Sequence, residues 1–412
     1  MHLNWKKSFA IIFSGQIFSI LTTSMVQFAI IWHLTVTTGS AVVLMIAGLV
    51  GFLPQALLGP FIGVWLDRWN RKATMIAADG AIAFFSLVLG LYFFFGEPSL
   101  LFVYVILAIR SAASAFHAPA FQAAIPLIAP ESELTRVAGW HQMVFSSSTV
   151  LGPALGIAVY SSTSLGAVLF LDVAGALIAN IMLLLVKINQ PKSEAMQAPS
   201  FFSELRLGWS VFVRNQTVVT ITVACAIFSI VFMPLATLFP FMTLTHFGRG
   251  GYSASIVEAV FGIGMIAGGA LLSVLASKLK DITYMGLSLI LMGLACAGSG
   301  VIGNGAFIAF LVLCFVIGLS APFFNGPFMA MLQKAYKPEV LGRVISIVTS
   351  AMLLASPIGL AFAGPVVDKY GVQVWFLGAG IVILLIGVFV FAKYRAASQL
   401  DGGVAAENEG SQ

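Results

Sequence analysis

Twelve long apolar runs follow one another along the chain, and polar or charged residues separate each run from the next. Each run is about as long as the roughly 20 residues that a helix needs to cross a bilayer. Because a helix satisfies its own backbone hydrogen bonds in lipid, we predict an all-α integral membrane protein with twelve transmembrane helices. We place the spans near 8–33, 41–66, 73–95, 99–119, 138–161, 165–187, 215–239, 253–277, 282–302, 305–326, 343–366 and 372–394.

The longest polar interruption falls midway along the chain and contains prolines and several charges. It divides the spans into two groups of six. We therefore predict an N-terminal six-helix bundle over 1–187, a cytoplasmic linker over 188–214 and a C-terminal six-helix bundle over 215–395. The polar, glycine-containing tail over 396–412 is predicted to be disordered and cytoplasmic, as chain ends often are.

The two predicted bundles carry a similar pattern of residues. Pro130 and Arg136 follow span 4 at nearly the same spacing at which Pro338 and Arg343 follow span 10. This repetition indicates a duplicated unit, and hence two pseudo-symmetric bundles. Such an architecture lets two bundles rock around a central binding site.

The positive charges are distributed unevenly across the predicted membrane. Of the 20 lysine and arginine residues, all but three lie in segments on the same side as the N-terminus. The exceptions are Arg249 and Lys369 on the opposite side, and Arg110 within a span. Because basic residues accumulate in cytoplasmic loops, we predict that both termini are cytoplasmic and that the protein spans the cell's inner (cytoplasmic) membrane.

Composition excludes several classes of protein. Hydrophobic residues make up 60% of the chain and charged residues only 8%, against roughly 25% charged residues in soluble domains. A soluble enzyme, a nucleic-acid-binding protein and a disordered chain are therefore excluded, and the net charge of +5 is not gathered into a basic patch. The three scattered cysteines have no metal-ligand spacing, and no nucleotide loop, zinc motif or nucleophile elbow is present. We expect no enzymatic activity, no metal and no cofactor.

The loop between spans 2 and 3 contains the pattern G-x-x-x-D-R-x-x-R-K, formed by Gly63, Asp67, Arg68, Arg71 and Lys72. This pattern resembles a signature of the major facilitator superfamily. The glycine permits close helix packing, and the acid can accept charge-assisted hydrogen bonds from a helix N-terminus or an arginine. We expect the loop to act as a gate. The alternative is a basic cytoplasmic loop that contains one incidental acid.

Two further stretches resemble motifs of the drug-exporting branch of this superfamily. Arg110 in span 4 lies in a sequence similar to the arginine motif of drug/proton antiporters. Gly152, Pro153 and Gly156 in span 5 resemble the core of the antiporter glycine-proline motif. The two glycines also form a small-xxx-small pair, so simple helix packing is an equally good explanation of them.

Longer stretches are similar to macrolide-efflux (Mef-type) proteins. They are residues 38–41, 50–54 and 110–120, and the likeness is strongest in the N-terminal half. The resemblance implies a proton-coupled secondary transporter that works by alternating access and exports amphipathic drugs, macrolide antibiotics first. Its partners would be the drug, protons and the lipid bilayer. An exporter of another amphiphile, such as a siderophore or a different drug, and a non-transporting membrane sensor stay open as alternatives.

Ionisable side chains inside the spans are candidates for proton coupling, because charge at membrane depth is costly. We expect Asp79 in span 3 to pair with Arg110, either as a static brace or as the proton couple. Glu258, at the outer end of span 8, is the alternate acid unless it only reaches to the interface. Asp172 in span 6 lies among small residues, which favours a structural role.

Neutral polar side chains are candidates for the wall of a substrate cavity. Four of them recur on one face of span 1, and others lie on spans 4 and 5. Interhelical hydrogen bonding is the alternative role for the span 1 set. The candidates are Gln16, Ser19, Thr23, Gln27, Ser114, His117 and His141. An ATP-binding partner protein also stays open, although no feature of the sequence points to one.

Overall fold

The protein is described by a computed structural model that covers residues 5–130, 133–188, 201–275, 281–336 and 338–409. Within these ranges the chain forms thirteen α-helices and one short 3-10 turn, Ile125–Leu127. The helices are α1 (Trp5–Thr38), α2 (Ala41–Arg68), α3 (Arg71–Phe95), α4 (Leu100–Ala124), α5 (Leu134–Ser162), α6 (Leu165–Leu185), α7 (Phe201–Arg214), α8 (Gln216–Thr245), α9 (Gly251–Leu275), α10 (Asp281–Val301), α11 (Phe307–Ala335), α12 (Pro338–Tyr370) and α13 (Val372–Glu409).

Twelve of the helices in the described part of the chain are long and apolar enough to cross a membrane. They are α1–α6 and α8–α13, so the prediction of an all-α protein with twelve spans is confirmed. Most of these helices extend beyond the predicted spans, because helical hydrogen bonding does not stop where the apolar run ends. We call the end of the spans at which α1 begins the proximal end, and the end at which α1 meets α2 the distal end.

The structure adds helix at two places where the sequence predicts none. Residues 201–214, inside the predicted linker, form α7, and α13 continues through the predicted disordered tail as far as Glu409. Helical hydrogen bonds are local, so residues of good helix propensity, such as Ala396 and Ala397, can prolong a helix without tertiary packing. The rest of the predicted linker, residues 189–200, lies outside the described residues.

Side-chain caps and one glycine set the turns between the helices at the distal end of the first half. The side chains of Ser99 and Ser164 accept hydrogen bonds from the backbone N–H groups that open α4 and α6. Gly39 has a positive φ of 59°, which residues with a Cβ rarely adopt. This conformation ends α1 and lets the chain reverse into α2.

The helices pack into two compact units. Unit 1 contains Met1–Glu204, Thr237–Ala259 and Leu360–Asp368, and in it α1, α2, α3, α4, α5 and α6 pack pairwise. Small residues allow these helices to approach closely. A Cβ on Gly15 of α1, for example, would lie 3.0 Å from the Ala179 Cα of α6.

Unit 1 also holds the distal parts of α8, α9 and α12. A buried distal cluster contains Phe28 and Trp32 of α1, Ile157 of α5 and Ala254 of α9. These residues bury their side chains against one another, so the distal ends of helices from both halves of the sequence are packed together within unit 1. The compact units therefore do not coincide with the two predicted halves, whose boundaries stay a prediction.

Unit 2 contains Leu205–Ala236, Val260–Gly359 and Lys369–Gln412, with α10 packed on α11 and α13. Glycines again allow the helices to approach closely: a Cβ on Gly293 of α10 would lie 2.7 Å from the Leu384 Cα of α13. The Lys334 Nζ lies 2.5 Å from the Asp281 Oδ2. This pair joins the end of α11 to the beginning of α10 at the surface.

Candidate functional site

A buried ion pair lies in the middle of unit 1. The Arg110 Nη1 of α4 lies 2.8 Å from the Asp172 Oδ2 of α6, and the two side chains are 10% and 2% exposed. The expected pairing of Arg110 with Asp79 is therefore wrong. Removing one partner of such a buried ion pair strongly destabilises a protein, because the other charge is left buried without a partner.

Depth along the helices explains why Arg110 selects Asp172. The sequence places the end of span 4 at residue 119, but α4 continues to Ala124. At 1.5 Å per residue, Arg110 lies about 21 Å and Asp172 about 20 Å from the proximal ends of their helices. Asp79 lies only about 10–12 Å from the proximal end of α3, which is too shallow to reach the guanidinium.

Asp172 is the centre of a hydrogen-bonded network that joins four helices. Its Oδ2 accepts hydrogen bonds from Arg110 and from the Ser86 hydroxyl of α3, at 2.8 Å each. Its Oδ1 accepts a hydrogen bond of 3.1 Å from the Thr23 hydroxyl of α1. Sequence reasoning did not single out Ser86, although it lies seven residues after Asp79 and therefore on the same helical face. Both oxygens of the buried carboxylate are thus satisfied.

Asp79 pairs instead with His117, one helical turn or more closer to the proximal end. The His117 Nε2 of α4 lies 3.3 Å from the Asp79 Oδ1 of α3, and the side chains are 15% and 4% exposed. The Asp79 Oδ2 is buried and has no hydrogen-bond partner among the described residues. Because buried polar atoms in folded proteins are nearly always paired, this site holds two titratable groups with unused hydrogen-bonding capacity.

The polar residues of α1 do not form one continuous wall. Gln16 and Ser19 are buried, at 1% and 8% exposure, whereas Thr23 and Gln27 are exposed. Gly15, next to Gln16, lies close to α6, since a Cβ on it would be 3.0 Å from the Ala179 Cα. In this structure Gln16 and Ser19 are therefore not on an exposed wall, whereas Thr23 and Gln27 are; a cavity-lining role for the four residues stays a prediction.

Only part of the predicted gate loop is described at the level of side chains. The Arg71 Nη1 donates to the Ala123 carbonyl at the end of α4, at 2.9 Å. The Lys72 Nζ donates to the Val186 carbonyl just after α6, at 2.7 Å. These cations occupy carbonyl groups that helix ends leave unpaired and that attract positive charge. The side chains of Asp67 and Arg68, and the surroundings of Gly63, lie outside the described part of the structure.

The glycine-proline motif of α5 packs closely against α1. A Cβ on Gly152 would overlap with the Ser24 Oγ, and a Cβ on Gly156 would lie 2.7 Å from the Met25 carbonyl oxygen. Pro153 between them is buried, and the Ser24 hydroxyl donates to the Ser148 carbonyl at 2.9 Å. These close contacts are the ones expected if the glycines of the motif allow α5 to pack against α1.

Three candidates remain to be placed: Ser114, His141 and Glu258. Ser114, one turn before His117 on α4, is half-buried. The His141 ring of α5 packs on Phe121 with centroids 5.5 Å apart. Glu258 is half-buried about two turns into α9, deeper than the sequence places it, because α9 begins at Gly251.

The family model described as "Major Facilitator Superfamily" matches residues 12–360 and, in a second alignment, residues 253–409. The chain belongs to the major facilitator superfamily. The expectation from the Gly63–Lys72 pattern is thereby confirmed, and the chain is a multi-pass membrane transporter of this superfamily.

Among relatives, this superfamily member is 40% identical over 386 residues to "Macrolide efflux protein A" of Streptococcus pyogenes, covering 93% of the chain and 95% of the relative. It is 39% identical over 323 residues to the protein of the same name from Enterococcus faecalis, covering 78% and 100%. A solved structure of a bacterial homologue of the human lysosomal transporter Spinster has a TM-score of 0.75 at 15% identity, covering 96% and 98%. That likeness establishes the shared transporter fold.

Proposed function

We propose that this protein exports amphipathic drugs, principally macrolide antibiotics, in exchange for protons. The observation that carries the proposal is the 40% identity, over nearly the whole length of both chains, to a macrolide efflux protein. A buried network of titratable and charged side chains within the spans supports the proton half of the exchange, because such groups in transporters commonly relay protons. Alternating access is the mechanism that the duplicated fold favours.

The proposed orientation places both termini in the cytoplasm. It rests on the concentration of lysine and arginine in the segments at the proximal end, with only Arg249 and Lys369 at the distal end. The proximal end then faces the cytoplasm, the distal end faces outward, and the protein lies in the cytoplasmic membrane. An ATP-binding partner protein stays open, with nothing in the chain that favours it.

Asp79 with His117 is the proposed proton-exchange site. Asp172 has hydrogen-bond donors on both carboxylate oxygens, whereas Asp79 has one buried oxygen without a partner among the described residues. Adding a proton to Asp79 therefore disrupts fewer interactions than adding one to Asp172. The neighbouring His117 imidazole has ring nitrogens that can donate or accept a proton. Half-buried Glu258 is the alternate acid.

Arg110 and Asp172 are proposed to hold the four helices of the network in register around the exchange site. The pair ties α4 to α6, and the hydroxyls of Ser86 and Thr23 extend the network to α3 and α1. Thr23 is also exposed, so it connects the network to the surface of α1. We propose Thr23 and Gln27 as the α1 residues that line the drug cavity, together with Ser114 and His141.

We propose that Asp67, at the end of α2, stabilises one conformation of the gate. Arg71 and Lys72 have an anchoring role, since both bind helix-end carbonyls within unit 1. An acid next to such an anchored segment is well placed to bind or release a helix N-terminus as the bundles move. Gly63 is proposed to permit the close approach of the partner helix.

A drug-accumulation panel in an efflux-deficient host tests the proposed function. We expect cells that make the protein to accumulate less macrolide than cells that carry an empty vector, and a protonophore to abolish the difference. If the cells instead accumulate less of a non-macrolide amphiphile and a normal amount of macrolide, the alternative substrate is favoured. Unchanged accumulation of every compound, with the protein correctly inserted, would contradict drug export.

A further inference from the structure

We propose that Asp368 is the latch of a distal gate, and that it closes this gate by capping the N-terminus of α2. Asp368 lies near the carboxyl end of α12, and α2 begins at Ala41 after the N-cap residue Ser40. Both partners of this interaction belong to unit 1. The inference deepens the proposed function, since it rests on a transporter that alternates between two conformations.

The Asp368 carboxylate takes the place of the side-chain cap that α2 lacks. The Ser40 side chain makes no cap hydrogen bond to its own helix. Instead, the Ala41 N–H donates to the Asp368 Oδ1 at 2.6 Å, and the Val42 N–H donates to the Oδ2 at 3.3 Å. The Ser40 hydroxyl also donates to the Oδ2, at 2.8 Å. Three donors of one helix therefore converge on one carboxylate of another.

The interaction is suited to a gate because it is both specific and reversible. The first N–H groups of a helix have no partner within that helix, and they carry the positive end of its dipole. Asp368 is exposed, so water can satisfy the carboxylate and the N–H groups when the two helices separate. A fully buried pair, such as Arg110–Asp172, could not open in this way without leaving charges unpaired.

Gly364 makes the capping distance possible. It precedes Asp368 by one helical turn, and a Cβ there would lie 2.8 Å from the Val42 Cα and 3.4 Å from the Met45 Cβ. Any side chain at this position would hold α12 away from α2. The glycine therefore brings the two backbones together, and the acid four residues later reaches the helix N-terminus.

The same arrangement of residues occurs in the predicted gate loop at the other end of α2. Gly63, Asp67 and Arg68 are followed by Trp69, just as Gly364, Asp368 and Lys369 are followed by Tyr370. Both stretches have a glycine, three intervening residues, an acid, a base and an aromatic residue at the carboxyl end of a helix. The distal copy shows the geometry that this spacing produces, and α2 is thus flanked by a G-x-x-x-D pattern at each end.

Thiol labelling of a buried distal position measures how often this gate is open. Ala254 is 0% exposed in the distal cluster, so an Ala254→Cys variant, with Cys225, Cys296 and Cys314 replaced, reacts only when the distal ends separate. Ala124, 1% exposed in a cluster at the proximal end, gives the matching Ala124→Cys probe for general loosening. The purified protein is labelled without drug and without a pH gradient.

We expect Asp368→Asn to raise the labelling rate at Ala254→Cys by about five- to thirty-fold, because the amide lacks the negative charge and one of the two acceptor oxygens that hold the N-terminus of α2. Asp368→Glu should restore part of the protection. Gly364→Ala should also raise the rate, because it separates the helices while keeping the carboxylate. Glu97→Gln, which removes an acid from the distal α3–α4 loop, is the matched control and should leave the rate unchanged.

The latch is contradicted if Asp368→Asn leaves the rate at Ala254→Cys unchanged, or raises the rates at Ala254→Cys and Ala124→Cys equally. The second result would assign Asp368 a general structural role. If Asp368→Asn cannot be purified, Gly364→Ala and Ser40→Ala provide the same comparison, and unchanged rates in both would again contradict the latch. Because no drug is present, faster labelling would stand even if macrolide export were disproved.

Discussion

The Arg110 guanidinium lies 2.8 Å from the Asp172 carboxylate, and this pair joins α4 to α6 in the interior of unit 1. Asp79, the acid expected to occupy that position, lies 3.3 Å from His117 instead. The structure therefore separates two roles that the sequence assigns to one pair. One acid is saturated with donors and suits bracing, while the other is under-satisfied and suits proton exchange.

Removing one member of the Arg110–Asp172 pair should destabilise the protein far more than replacing both. We expect Arg110→Ala to destabilise the protein by about 3–5 kcal/mol, because it leaves Asp172 charged and buried without its partner. The Arg110→Ala/Asp172→Asn double variant should recover a substantial part of that loss. Thermal unfolding of the purified variants measures both effects. Arg136→Ala removes an arginine that is 64% exposed and pairs with Glu133, and should change stability by less than about 0.5 kcal/mol.

Asp79→Asn should uncouple transport from the proton gradient. The variant retains the shape of the side chain and loses the exchangeable proton, so we expect gradient-driven macrolide efflux to disappear while drug counterflow persists. Drug efflux from energised cells and counterflow in proteoliposomes measure the two activities separately. Asp281→Asn, which alters an acid paired with Lys334 at the surface, is the control. If Asp79→Asn exports at the wild-type rate and still responds to a protonophore, Glu258 is the next acid to test.

The glycine motif of α5 should tolerate no side chain. A Cβ at Gly156 would lie 2.7 Å from the Met25 carbonyl oxygen, and backbone atoms cannot move aside as a flexible side chain can. We expect Gly156→Ala to destabilise the protein by about 1–3 kcal/mol. Gly378→Ala is the matched control, since a Cβ there would meet no described atom within 4 Å. That control should be neutral or stabilising by up to about 1 kcal/mol, and equal thermal midpoints of the two variants would refute the packing role.

Cysteine labelling in intact cells tests the proposed orientation. Ser162 and Asn304 lie at the distal end and are exposed, and Gln216 is exposed at the proximal end. In a background without native cysteines, we expect a membrane-impermeant reagent to label Ser162→Cys and Asn304→Cys but not Gln216→Cys. Labelling of Gln216→Cys alone would reverse the orientation, and the latch at Asp368 would then face the cytoplasm.

The number and type of spans could be predicted from the sequence because lipid permits so few structures. Twelve apolar runs of sufficient length leave little choice but twelve helices, and the described helices match them one for one. The helix ends were less predictable. The continuation of α4 to Ala124 past Pro119 is an example, since hydrophobicity marks the membrane and does not mark where helical hydrogen bonding stops.

The pairing of charged residues could not be predicted from depth along single spans. A five-residue error at the end of α4 moved Arg110 by about 7.5 Å, enough to change its partner from Asp79 to Asp172. The burial of Gln16 was missed for a related reason, because helical periodicity shows which residues share a face but not which neighbour covers it. The capping of α2 by Asp368 joins residues more than 300 positions apart, which no local pattern specifies.

Proton-driven macrolide transport by the purified protein in proteoliposomes is the measurement that tests the central claim most directly. With an imposed pH gradient, we expect labelled macrolide to move against its own concentration gradient while protons move in the opposite direction. We expect the Asp79→Asn protein to show counterflow only. The account would be contradicted if the pH gradient had no effect on macrolide transport by the wild-type protein. It would also be contradicted if correctly folded protein transported no macrolide.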